Sequence, residues 1–326
     1  MKSVYFDGRL SMREVETPRP GPGEALIRVS VAGICGTDLQ ILKGYSGFRG
    51  IPGHEFVGEV VECEQASWIG KRVASEINVT CRRCDWCRRG LGRHCAHRVV
   101  MGIINRPGAF AEFVAMPAEN LHELPAHLPD EEAVFVEPLA AAAEILEQIT
   151  IPAGMRVAVL GDGRLGLLVA QVLSQARAKT TVIGRTAWKL ELARGWGLNT
   201  VRVAPPSPEA PKEDRLPPKS FPIVVDATGS PQGLEEALRL VEPRGTVVMK
   251  STFHQPACFD TAKLVVDEVT LLGSRCGNFR TGLDLLSRRG VRVRQMVSRT
   301  FPLEAALEAF EFLATTSCLK ALLTNR

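Results

Sequence analysis

No apolar run in this 326-residue chain is long enough to cross a membrane. The best, Ala133 to Ala143, is broken by Glu137 and Pro138, whereas a span needs about 20 apolar residues. The segment Met1-Lys2-Ser3-Val4-Tyr5-Phe6-Asp7-Gly8 meets an acid before any apolar stretch, so no secretory leader is expected. An excess of one charge is lacking as well. Lys+Arg 40 against Asp+Glu 36 leaves +4, too balanced for a surface given over to nucleic acid. Apolar residues are not scarce: 45% hydrophobic and 23% charged exclude wholesale disorder. A chain of this length is expected to form about two domains and to fold without disulfide staples. What is present in quantity is cysteine. There are nine, four of them within residues 81–95, and this pattern predicts reduced thiols, metal and a cytoplasmic setting rather than a disulfide framework.

The first 120 or so residues read as an irregular β domain. Ala25, Ile27, Val29 and Val31 recur at the period of a half-buried strand, and residues 56–61 and 110–114 are similar. From about residue 139 strand and helix alternate. Val157-Ala158-Val159-Leu160 is a continuous apolar run of the kind buried on both faces of a parallel sheet. Further strands are expected at 180–183, 200–203, 223–226, 246–249 and 270–272. Leu234, Ala237, Leu238 and Val241 mark one face of a helix. This alternation predicts a doubly wound α/β domain. Residues 204–222 carry seven prolines, too many for a crossover helix, and are expected to form a mobile surface loop.

Cys81, Cys84, Cys87 and Cys95 stand as C-x2-C-x2-C-x7-C. Thiolates on such short loops can wrap one tetrahedral zinc, and four of them leave no vacancy for substrate, so the site is structural. His94 and His97 compete for the fourth position on spacing alone. Six arginines (82, 83, 88, 89, 93 and 98) surround the cluster with Asp85 as the one acid. Trp86 is the only aromatic among them, little platform for base stacking, and nucleic acid is not expected as a partner.

Gly161-Asp162-Gly163-Arg164-Leu165-Gly166 is G-x-G-x-x-G between a buried strand and a helix, the context in which such a turn approaches a pyrophosphate. An NAD site carries Asp or Glu about 20 residues further on. Here Gly184-Arg185-Thr186 occupies that place, with Lys189 following and no acid before Glu191. Glycine makes room and arginine suits a 2′-phosphate. The expectation is NADP(H), with NAD(H) as the alternative.

Gly33-Ile34-Cys35-Gly36-Thr37-Asp38, Gly53-His54-Glu55 and Glu137-Pro138, taken with the cysteine lobe and the glycine turn, resemble the zinc-containing medium-chain alcohol dehydrogenases, in their polyol and secondary-alcohol branch. The resemblance covers nearly the whole chain in order. It implies a GroES-like β-barrel catalytic domain over 1–140, rejoined by 291–326, and a Rossmann cofactor domain over 141–290. It also implies two zincs per chain. Cys35, His54 and Glu137 would bind the catalytic one, with Glu55 as a fourth or alternating ligand. Thr37 would accept the substrate proton and Asp38 would orient His54. Where many relatives carry a histidine five residues after the cysteine, this chain has Gln40, which cannot titrate. Thr228, Ser274 and Arg275 would lie near the cofactor. The implied activity is hydride transfer between NADP(H) and an alcohol or polyol, or its aldehyde or ketone. A homodimer or homotetramer with a small-molecule substrate and no membrane partner is expected. Tyr45, Phe48 and Arg49 are candidates for the substrate wall. The rival reading is a retired dehydrogenase scaffold that binds RNA through its arginine-rich lobe.

Overall fold

The computed structural model describes residues 1–203, 216–252, 256 and 258–325. Most of the proline-rich interval, residues 204–215, lies outside the described residues, and the loop expected there with it. The chain divides into two compact units. One comprises Met1–Glu137, Leu286–Arg288 and Val293–Arg326, the other Pro138–Leu285 and Arg289–Arg292. Among the described residues no helix is long and apolar enough to cross a membrane.

The first unit is built on a seven-stranded sheet ordered Leu121–Glu123, Arg72–Ser75, Glu55–Cys63, Glu24–Gly33, Lys320–Thr324, Val297–Pro302, with Phe113–Pro117 also paired to Glu24–Gly33. The central strand turns Ala25, Ile27, Val29 and Val31 inward, each at most 2% exposed, and this fixes its register: a one-residue slip would turn the whole set to the other face. The strand expected at 110–114 runs instead from Phe113 to Pro117. Phe110 is wholly buried in the core and its carbonyl accepts the Val4 N–H, so it leaves the strand path. The C-terminal strand Lys320–Thr324 lies antiparallel to Glu24–Gly33, with Leu322 opposite Gly33. Gly33 in turn lies opposite Glu55 on its other side. Three distant stretches of sequence thus meet at one glycine.

The second unit holds a parallel sheet of β1 (Arg156–Leu160), β2 (Lys179–Gly184), β3 (Asn199–Arg202), β4 (Phe221–Asp226), β5 (Val241–Met249) and β6 (Thr270–Gly273), in the order β3-β2-β1-β4-β5-β6. That is the order of the doubly wound dinucleotide fold, whose ligands sit beyond the carboxyl ends of the strands. Helix α1 (Arg164–Gln175) follows β1 and buries Leu167, Leu168, Val169, Val172 and Leu173. Each side chain contributes about 1.5–3 kcal/mol of apolar burial. Helix α2 (Ala187–Gly195) follows β2, and α3 (Pro231–Leu240) follows β4. At the start of α3 the Ser230 hydroxyl accepts the Gly233 N–H at 3.3 Å, and Pro231 stands at the first helical position, where its missing N–H costs nothing.

Candidate active site

Cys35 ends the loop after the central strand and caps the short helix Gly36–Ile41. Asp38 folds back on it, accepting the Cys35 N–H through Oδ2 at 2.7 Å. The other Asp38 oxygen faces His54 Nδ1 at 3.2 Å, with both side chains buried. One carboxylate therefore aims the thiol-bearing backbone and the imidazole together, as partners behind metal ligands do. Gly53 places His54: its φ is +98°, and a Cβ there would stand 2.5 Å from the Phe110 ring. The ligand atoms of Cys35, His54 and Glu55 lie within 4.8 Å of one another. Burial opposes a charge on His54, yet the Asp38 carboxylate and the Cys35 side chain outweigh it and raise its pKa well above the usual imidazole value.

Glu55 carries the observation that bears most on metal. One of its oxygens pairs with the Lys320 ammonium, and the side chains are 1% and 2% exposed. Oε1 of Glu55 is buried with no hydrogen-bond partner. A bare carboxylate oxygen beside a thiol and an imidazole costs several kcal/mol unless something positive completes it, and this donor set suits zinc. Sequence reasoning does not find Lys320; its only signal is a lysine heading the apolar run Ala321-Leu322-Leu323. Burial pushes its pKa down to about 8, against the pull of Cys35 and Asp38. Gly33 makes room for the pair, since a Cβ there would meet Glu55 Oε2 at 2.6 Å and Lys320 Cε at 2.7 Å.

Glu137 is half-buried near the start of helix Val136–Gln148 and is not part of the compact group of three. Thr37 sits with its Oγ1 3.9 Å from Cys35 Sγ. Of the three wall candidates, Phe48 is buried in the core and Arg49 donates to the Asp7 carbonyl.

The sulfurs of Cys81, Cys84, Cys87 and Cys95 also gather within 4.8 Å of one another. Cys84 lies 3.5 Å from Cys87 and 3.8 Å from Cys95, and Cys95 lies 3.5 Å from Cys81. Tetrahedral zinc with Zn–S bonds of about 2.3 Å puts sulfurs roughly 3.8 Å apart, so the quartet has the dimensions of a filled site. The Cys87 amide points at Cys84 and brings its pKa down to about 6. Several of the surrounding arginines are engaged locally. Arg82 pairs with Glu119, Arg88 with Asp85, Arg89 stacks over Trp86, and Arg98 donates to the Cys95 carbonyl.

In the second unit, Gly161 follows β1 with φ +109°, and a Cβ on Gly166 would stand 2.1 Å from the Gly161 carbonyl oxygen. The helix can approach the turn this closely only without side chains. Over Gly163 nothing lies within 4 Å of such a Cβ, so the backbone at the start of α1 faces open space, as a bound pyrophosphate needs. Gly184 ends β2, and Arg185 and Thr186 follow it before α2. The Lys189 ammonium lies 5.5 Å from the Trp188 ring. Thr228, after β4, donates its hydroxyl to Asp226 at 2.8 Å. Ser274 and Arg275, after β6, are held by Lys250, which sequence reasoning missed. Its buried ammonium donates to Ser274 Oγ at 2.9 Å and to the Arg275 carbonyl at 3.0 Å.

A dinucleotide fold and a thiol–imidazole–carboxylate group able to hold a metal ion, on one chain, point to the oxidoreductase class. Comparison with known proteins narrows the class. Residues 21–126 match the alcohol dehydrogenase GroES-like domain, and residues 165–288 the zinc-binding dehydrogenase domain. An erythritol/L-threitol dehydrogenase of Mycolicibacterium smegmatis is 29% identical, over 97% of this chain and 94% of its own. A zinc-binding dehydrogenase of Sinorhizobium meliloti, solved with NADP, is 30% identical with a TM-score of 0.88, covering 99% of this chain and 98% of its own. An alcohol dehydrogenase of Escherichia coli, solved with NADH, is 28% identical with a TM-score of 0.90, covering 99% of both chains. The chain belongs to the zinc-containing medium-chain alcohol dehydrogenases, in their polyol branch, and is an NAD(P)-dependent enzyme of that family.

Proposed function

We propose that the enzyme transfers hydride between an alcohol or polyol, or its aldehyde or ketone, and NADP(H) or NAD(H), using one zinc held by Cys35, His54 and glutamate. A second zinc would be held by Cys81, Cys84, Cys87 and Cys95 and would be purely structural. The observation that carries this reading is the buried, partnerless Oε1 of Glu55 beside Cys35 and His54. The zinc would supply a Lewis acid that makes a substrate hydroxyl acidic, and the nicotinamide would supply the hydride acceptor. The chain's own residues would do the rest. Asp38 holds the Cys35 backbone and the His54 ring in one arrangement. Glu137 would be the third ligand, and Glu55, tethered by Lys320 through one oxygen, would alternate with it through the other. Thr37 would take the hydroxyl proton; Gln40 cannot pass it on, so it reaches solvent by another route.

The cofactor pocket has two opposed features. Arg185 and Arg202, whose Nε donates to the Arg185 carbonyl at 3.3 Å, add the positive charge that a 2′-phosphate wants. The Asp162 carboxylate adds negative charge at the same turn, donated to by the Arg185 and Thr186 amides. Use of both cofactors follows, which broadens the NADP(H) expectation. None of the nine cysteines is joined in a disulfide, which suits a reducing compartment, and the cytoplasm is the proposed location. A homodimer or homotetramer is the proposed assembly, read by sedimentation.

The test is metal analysis together with initial rates on alcohols, C4–C6 polyols and their carbonyls with each cofactor. Two zincs per chain and turnover of a secondary alcohol or polyol support the reading. One zinc, bound only by the cysteine lobe, with no turnover overturns it.

A further inference from the structure

The end of β2 lacks the acid that usually holds the adenosine ribose of NAD, and a carboxylate arrives there from another strand. Asp162, the second residue of the glycine turn, reaches across to β2, where its Oδ2 accepts the N–H groups of Arg185 at 2.9 Å and Thr186 at 2.6 Å. Gly184 is what admits it. A Cβ on Gly184 would stand 2.6 Å from the Asp162 Cβ and 2.7 Å from its Cγ and Oδ2, so no other residue fits at 184 while Asp162 keeps this pose. Two consecutive amides turned toward one oxygen form an anion-binding nest. They open α2, and Thr186, its cap, supplies no side-chain hydrogen bond of its own.

The missing acid and the glycine therefore have one explanation, and it differs from the one that residues 184–186 suggest when read alone. We infer that Asp162 is the residue that sets the choice between NAD(H) and NADP(H). Its carboxylate stands in for the absent acid toward ribose hydroxyls. The same carboxylate disfavours a 2′-phosphate without shutting it out, by occupying the two amides that the phosphate would use and by placing like charge against it. Discrimination by repulsion and prior occupancy of this kind acts on one ligand while sparing the other. Arg185 and Arg202 act in the opposite direction, so the balance between cofactors is a contest between Asp162 and these two guanidinium groups. The inference rests on the reading of residues 161–166 as the dinucleotide turn.

The experiment is titration calorimetry on the zinc-loaded full chain with NAD+, NADP+, 5′-ADP and 2′,5′-ADP, for wild type, Asp162→Asn and Asp162→Ala. Loss of the charge should tighten NADP+ and 2′,5′-ADP by about tenfold or more in both variants, since a like-charge contact costs at least that factor. Asp162→Ala should also weaken NAD+ severalfold, while Asp162→Asn, which keeps the hydrogen-bonding shape, should hold NAD+ near wild type. A ratio of NADP+ to NAD+ dissociation constants that stays within twofold of wild type in both variants overturns the inference while leaving the dinucleotide turn intact. Failure of wild type to bind any of the four ligands overturns the turn assignment itself, and the inference with it. Should Asp162→Ala not fold, the Asn variant alone decides, because it removes the charge without removing the contacts to residues 185 and 186.

Discussion

Replacing Lys320 with methionine should be among the most destabilising single changes available in the first unit. The ammonium is 2% exposed and its Glu55 partner 1%, so neither charge is screened by solvent. The other oxygen of Glu55 has no hydrogen-bond partner, which means that Lys320→Met strips a buried carboxylate of its counter-charge. The variant also loses the ammonium 5.4 Å from the Phe135 ring centroid. Breaking one side of a buried pair costs about 3–5 kcal/mol. For a unit of this size that is a fall in Tm of roughly 6–20 °C. Adding Glu55→Gln to Lys320→Met removes the uncompensated charge and should recover part of the loss, leaving about 1–3 kcal/mol for an unsatisfied amide. Zinc-stripped protein should show the larger drop, since the metal offers the stranded carboxylate another partner. Scanning calorimetry of wild type, Lys320→Met, Glu55→Gln and the double variant at pH 7, with and without zinc, measures all of this. A fall below about 2 °C for Lys320→Met, or a double variant as unstable as the sum of the singles, would show that the pair contributes nothing beyond two independent side chains.

Three further outcomes follow from the same geometry. Cys95→Ser removes a buried sulfur from the quartet and should lower zinc from two per chain to one, read by mass spectrometry of the metal, with a loss of stability of a few kcal/mol. Cys35→Ala should likewise leave one zinc, now in the cysteine lobe, and reduce kcat by two orders of magnitude or more; wild-type turnover in that variant would be incompatible with the proposed ligand set. Gly166→Ala drives a Cβ to 2.1 Å from the Gly161 carbonyl oxygen. It should destabilise the second unit by about 1–3 kcal/mol and weaken NAD+ and NADP+ alike in calorimetry, in contrast to the selective effect at Asp162.

Much of the architecture is legible in the sequence where its cause is local. The run Val157–Leu160 can be read as a doubly buried strand because such burial tolerates no polar residue. The glycine turn is legible because a sharp bend and a close helix approach both forbid side chains. The cysteine lobe is legible because its spacing alone lets four sulfurs reach one ion. The pattern of residues 110–114 reads as a strand, yet the Phe110 ring is drawn into the core and the strand begins at Phe113. No periodicity over five residues distinguishes those two fates.

What the sequence by itself supplied is therefore a set of candidate groups: Cys35, His54 and Glu137, with Glu55 beside them, as metal donors, four sulfurs in a lobe, and a glycine turn suited to a dinucleotide. Tertiary structure alone decided which groups act on one another. Lys320 meets Glu55 across 265 residues because the C-terminal strand pairs at one register with Glu24–Gly33. Asp162 reaches residues 185 and 186 because parallel pairing puts the ends of β1 and β2 side by side. Spacing along the chain constrains only what a few residues of backbone can span. Contacts between strands depend on register, which the packing of whole hydrophobic faces sets.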